Sequence, residues 1–139
     1  MLAVETMRLE QAAQHLNWSV QRCRPLVAGP WNAEELERWE SLASRFARLA
    51  DLLTQRVMRL ADELDLESPG SLLDRIRRAE KRGWAESEGQ LVRVRELRNM
   101  IAHDYEDEDL VQLYLEVLNL APALLAAVLA ALAWARTAE

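Results

Sequence analysis

The sequence has little of what cross-linked or irregular proteins are built from. One cysteine, Cys23, excludes an internal disulfide and suggests a reducing compartment. One cysteine and two histidines, far apart in the chain, leave too few ligands for a zinc site, and no metal or other cofactor is expected. Four glycines and four prolines in 139 residues offer little turn chemistry. No strand alternation, internal repeat or low-complexity segment occurs. Lysine is confined to Lys81, so arginine carries almost all the positive charge. The net charge of -6 argues against a general nucleic-acid-binding surface, because phosphate contact needs local positive charge; a small basic patch is still compatible with it. The N-terminus lacks a basic start followed by an apolar run, so no secretory signal is visible. The most apolar segment, Leu120 to Ala135, contains Pro122 and falls short of the roughly 20 residues of a spanning helix. It reads as a closely packed core helix, and the chain as cytoplasmic with no membrane partner.

What is present points to helix. Leu, Ala, Arg and Glu dominate, and half the residues are apolar. A first helix is predicted from about Ala3 to Arg24, on Leu9, Ala12, Ala13, Leu16 and Val20. Pro25 and Gly29-Pro30 break it. Asn32 with Glu35 forms a capping box for a long second helix, about Ala33 to Leu64. Leu42, Phe46, Leu49, Leu53, Val57, Leu60 and Leu64 form its packing seam, at alternating spacings of four and three. Ser71 and Asp74 cap a short helix, about Leu72 to Arg82, which ends at Gly83. Ser87 is expected to cap a fourth helix, about Glu88 to His103. The acidic run Glu106-Asp107-Glu108-Asp109 suits the N-terminus of a last helix reaching about Ala135. Short connections between long helices give one domain over residues 1–139. Its expected fold is all-α, an up-and-down bundle of four main helices plus one short helix.

Chemistry concentrates in Leu97-Arg98-Asn99-Met100-Ile101-Ala102-His103-Asp104-Tyr105. On an ideal helix, Leu91, Leu97 and Ile101 fall within about 60° of Val94 and form the core face. Arg98 and Tyr105 lie at its edge, about 40° and 20° away, whereas Asn99 and His103 point outward at about 140° and 180°. Val92 and Met100 join that outward face, which reads as a second contact surface and motivates a two-fold dimer through this helix. Ala102 leaves room between Arg98 and His103. Arg45, Arg48 and Asp51 lie on the second helix at i, i+3 and i+6. They read either as a solvated or salt-bridged flank, or as part of a basic groove beside Arg98 that contacts substrate. His15 reads as structural. Trp18, Trp31, Trp39, Trp84 and Trp134 read as packing residues at helix contacts rather than as base-stacking platforms.

The whole stretch, Arg98-Asn99-x-x-Ala102-His103-x-Tyr105, resembles the R-x4-H-x-Y motif of the HEPN superfamily, in its HepT-like toxin branch. The flanks agree: Arg48-Leu49-Ala50-Asp51-Leu52-Leu53, and Leu73-Asp74-Arg75-Ile76-Arg77-Arg78-Ala79-Glu80-Lys81-Arg82-Gly83. The resemblance covers about residues 35 to 130. It implies an all-α bundle that dimerises with the motif helices facing each other. It implies a metal-independent endoribonuclease with Arg98 and His103 as catalytic residues; Asn99 reads as a supporting residue that orients His103 from one turn earlier or hydrogen-bonds the partner chain. It also implies a small nucleotidyltransferase antitoxin as partner, which transfers AMP to the motif tyrosine, here Tyr105. Some superfamily members bind a nucleotidyltransferase without demonstrated cleavage, so a non-catalytic binding subunit is the alternative. The residue types suit RNA cleavage. His103 can act as acid or base, and Arg98 offers bidentate, permanently charged donors to phosphate.

Overall fold

Each helix begins and ends where local hydrogen bonding dictates. The computed structural model describes residues 2–68, 70–103 and 107–138. Helix α1 (Leu2–Cys23) runs into a 3-10 turn (Arg24–Leu26), in which Pro25 occupies a position that needs no amide donor. Helix α2 (Ala33–Asp51) opens on the expected capping box. The Glu35 amide donates to Asn32 Oδ1 at 2.8 Å, and the Asn32 amide donates to Glu35 Oε1 at 3.1 Å. A π-helical segment (Leu52–Val57) continues into α3 (Met58–Leu64), so residues 33–64 form one unbroken rod. Helix α4 (Leu72–Lys81) starts on the reciprocal Ser71–Asp74 box, both bonds 3.1 Å. It ends at Gly83, whose φ of +89° is the left-handed turn glycine tolerates. Helices α5 (Gln90–Ile101) and α6 (Asp107–Ala138) complete the chain.

The expected all-α, up-and-down bundle of four main helices plus one short helix is what the chain forms. Helix α1 packs on α2 and α6; α5 packs on α2, α4 and α6. The core joins Leu9, Leu16 and Val20 of α1 to Trp39, Leu42, Phe46 and Leu49 of α2. Leu91, Val94 and Leu97 of α5 and Val117, Leu124 and Val128 of α6 close it. Four tryptophans pack as expected. Trp31 and Trp39 lie 4.6 Å apart between ring centres, and Trp84 and Trp134 lie 5.8 Å apart. Trp18 departs from the expectation: it is 61% exposed.

Two further expectations are corrected. The predicted seam holds only from Leu42 to Val57. Beyond it Leu60 is half-buried and Leu64 is 55% exposed, while Met58, Ala61 and Asp62 are buried. The cause is the π turn, in which the Met58 amide bonds back to the Leu53 carbonyl. An i→i+5 turn inserts one extra residue and rotates everything after it by about 100°. The carbonyl of Thr54 in that widened turn accepts from Arg75 Nη1 of α4 at 3.3 Å, and Thr54 Oγ1 donates to the Ala50 carbonyl at 2.8 Å. The second correction concerns α6. It is a continuous helix of 32 residues that passes straight through Pro122. Among the described residues, Asp109–Ala138 is one helix long and apolar enough to cross a membrane by length and composition, so the shortness argument does not hold. Its place in the core rests instead on a buried face: Val117, Ala121, Leu124, Val128 and Ala131 are each at most 1% exposed.

Candidate functional site

The motif helix is held at both ends by unlike devices. Its start is not capped by Ser87, nor does it begin at Glu88. Gly89 occupies the cap position at a φ of +85°, and its side chain, being absent, bonds nothing. The carboxylate of Glu80 reaches across from α4 and accepts from the Leu91 amide at 3.0 Å. A negative charge there also suits the positive end of the helix dipole. At the other end α5 stops at Ile101. The Ala102 amide bonds to the Asn99 carbonyl at 3.2 Å and the His103 amide to the Met100 carbonyl at 3.1 Å, a tightened last turn. His103 therefore lies on a bend just past the helix, and the ideal-helix angle of the sequence reading does not apply to it.

Arg98 stands at the core edge, as its helical position requires, and finds a carboxylate there. Its Nε donates to Asp51 Oδ1 at 2.7 Å and its Nη2 to Asp51 Oδ2 at 2.9 Å. This is the bidentate fork that a planar guanidinium favours. Arg95 Nη1 lies 3.4 Å from the same Oδ1. The Arg98 and Asp51 side chains are 29% and 31% exposed, so water reaches the pair. The hydrogen bonds to Asp51 push the Arg98 guanidinium above its ordinary pKa against an opposing effect of burial.

Arg98 forms part of the wall of a groove of about 370 Å³ between α2, α5 and α6. Ala43 and Ala47 keep the α2 wall low, Ile101 and Ala102 form the α5 rim, and Tyr114 rises from α6. The Tyr114 ring stacks on Trp39, with centroids 6.1 Å apart and planes 16° apart. Burial, and then the nearby Glu40 carboxylate, raise the Tyr114 phenol above its ordinary pKa. A charged arginine beside an aromatic and aliphatic trough suits a ligand with one anionic group and one flat or apolar part.

The sequence-predicted residues do not all meet in this groove. Arg98 and Ala102 line it. Asn99 and His103 are exposed next to it, and neither forms its wall. Arg45 does not contribute to a basic groove beside Arg98: its Nη1 donates to Ser19 Oγ at 2.8 Å and to the His15 carbonyl at 3.2 Å, toward α1. Successive positions 45, 48 and 51 step round the helix by about 60° each, which carries Arg45 away from the Arg98 side. Arg48 is exposed between the two. Val92 and Met100 are not free outward residues either; both are partly buried and pack against the core. Tyr105 and Asp104 lie outside the described residues. Asp51 is the residue sequence reasoning underused. It was grouped with Arg45 and Arg48, yet its partner is 47 residues away, and no local pattern signals such a pair. Tyr114 and Glu40 carried no sequence signal as groove residues.

No family model, curated protein or solved structure matches the chain.

Proposed function

We propose that the chain is a metal-independent endoribonuclease of HEPN type, a HepT-like toxin neutralised by a small nucleotidyltransferase. The observation that supports this reading most is Arg98, charged and open to water beside a groove, followed five residues later by an exposed His103. In the reaction the ribose 2′-hydroxyl loses its proton to a base and attacks phosphorus. The bond to the 5′-oxygen breaks, and that oxygen takes a proton from an acid. His103 serves as the acid or base, and Arg98 neutralises charge on the non-bridging oxygens. Asn99, exposed one turn before His103, supports it or bonds the partner chain. A dimer through the motif helix supplies the second set of groups. Addition of AMP to Tyr105, seven residues after Arg98 in sequence, adds a phosphate and excludes RNA by charge and bulk.

The pairing of Arg98 with Asp51 favours a second reading, a non-catalytic subunit that binds a nucleotidyltransferase or its substrate. A guanidinium already neutralised by a bidentate carboxylate has less to offer a phosphorane. One experiment separates the two. Freshly purified chain is incubated with labelled RNA and EDTA. The enzyme predicts cleavage leaving 2′,3′-cyclic phosphate ends, lost in Arg98→Ala and His103→Ala and kept in His15→Ala. Intact RNA with unmodified protein selects the binding subunit. Light scattering at micromolar concentration tests the dimer, with twice the 15.9 kDa chain mass expected. Incubation with the cognate nucleotidyltransferase, ATP and Mg²⁺ tests the switch: the AMP mass maps to Tyr105, and Tyr105→Phe escapes inactivation. Modification confined to Tyr114 or to a serine removes the switch.

A further inference from the structure

A second cleft, of about 320 Å³, opens between α1 and α2, away from Arg98. Arg22, Arg38 and Arg45 stand on its walls against two carboxylates, Glu34 and Glu37. One of those carboxylates is taken: Arg38 Nη2 lies 3.2 Å from Glu34 Oε1. Arg38 Nε is shut off from solvent with no acceptor among the described residues. Arg45 donates to neutral groups, the Ser19 hydroxyl and the His15 carbonyl, and forms no ion pair among the described residues. Arg22 lies over the Trp18 ring, 5.8 Å from its centre. Trp18 is the tryptophan that the core does not use.

These features ask for one kind of ligand. A guanidinium without a carboxylate partner and fixed by neutral acceptors, as Arg45 is, is a prearranged donor for a phosphate. An exposed indole with a guanidinium over it is a platform for a flat, electron-rich ring. We infer that the α1–α2 cleft binds a nucleotide, with its phosphate at Arg22 and Arg45 and its base on Trp18. The nucleotide comes free or as one unit of an RNA strand. Arg48, exposed and three residues beyond Arg45 on α2, gives a strand its next phosphate contact. Glu37 opposes phosphate from the rim. The inference does not depend on cleavage, because it concerns binding at a place the motif does not reach.

The test uses the full chain carrying His103→Ala, so that RNA stays intact. A labelled short oligo-uridylate, AMP and inorganic phosphate are the probes, read by anisotropy and competition over a range of salt. Arg22→Gln with Arg45→Gln weakens strand binding by about tenfold or more, and the log–log salt slope becomes shallower by about 0.7, the value for one phosphate neutralised on a single strand. Trp18→Ala weakens binding by about tenfold with the salt slope unchanged. Glu37→Gln breaks no hydrogen bond or ion pair among the described residues and tightens binding several-fold. Competition by AMP as strong as by the strand identifies a free nucleotide as the ligand; competition by the strand alone identifies RNA. Unchanged affinity in both Trp18→Ala and Glu37→Gln overturns the inference, even if the double arginine variant fails to fold. Inorganic phosphate competing as well as AMP and the strand overturns it too. RNase activity of the unsubstituted chain is read separately, so either idea can fall without the other.

Discussion

Two aspartates in this bundle gather arginines, and the surroundings make them different things. Asp62, 6% exposed, meets Arg75 and Arg78 of α4 and Arg82 at its C-cap. Arg78 Nη1 donates to its Oδ2 at 3.0 Å. Arg82 Nη2 comes within 2.9 Å of Oδ1 out of hydrogen-bonding alignment, and bonds Asp65 Oδ2 at 2.8 Å instead. This cluster ties α3 to α4 in low dielectric. Asp51 meets Arg95 and Arg98 with nearly a third of its side chain in water and a groove alongside. The first pairing resists exchange because its carboxylate is almost closed to water. The second is exchangeable, since water or a phosphate oxygen can take a guanidinium's donors.

The largest expected effect breaks the buried cluster. Asp62→Ala leaves three guanidiniums around an empty acceptor and costs about 3–5 kcal/mol of unfolding free energy, read by urea titration. Asp51→Asn removes a similar charge from the solvated pair and costs about 1 kcal/mol or less, after discounting for screening. On the His103→Ala background the proposed ribonuclease is expected to bind RNA more tightly, because Arg98 loses its counter-charge. Equal stability losses from the two substitutions would erase the contrast.

A smaller effect comes from the junction that holds Asp62 in place. Helices α3 and α4 end alike, the Glu67 amide bonding back to the Asp62 carbonyl and the Trp84 amide to that of Ala79. The left-handed residue is Gly83 after α4 but Leu66 after α3, with a φ of +57° and 92% exposure. Leu66→Gly relieves that backbone and stabilises the chain by about 1 kcal/mol, visible as a higher melting temperature.

A pH-dependent effect separates burial from ion pairing. Burial pushes the Cys23 thiol from 9.0 up to about 11, and burial with Glu40 raises the Tyr114 phenol. Both groups are raised in the folded state. Their stabilising effect is complete below the unfolded pKa values and is lost as pH rises through the folded ones. Stability should therefore fall from about pH 9 to 11, and Cys23→Ala should flatten the early part of that fall in urea titrations. Arginine stays charged across the window, so neither arginine cluster contributes.

Much of the scaffold was legible because it depends on neighbours in sequence. The Asn32–Glu35 and Ser71–Asp74 caps, the Gly83 stop and the core face of Leu91, Val94 and Leu97 all follow from hydrogen bonds and periods within one or two turns. The site was legible only as residue types in order. Arg98 could be placed at a core edge, but not paired with Asp51. Ser87 lost its capping role to Glu80, a carboxylate from another helix. Arg45, one face away from Asp51, turned to α1.

Composition and local pattern by themselves determined an all-helical chain, its breakpoints and the position of an arginine–histidine stretch at a helix end. Only the tertiary structure decided which faces those helices share. The π turn after Asp51 shifts the phase of α3, buries Asp62 in place of Leu64 and leaves Thr54's carbonyl to Arg75. Whether a charged side chain becomes a lock or an exchangeable contact depends on which helix lies opposite and how much water lies between. Neither is encoded within the few residues over which backbone hydrogen bonds reach.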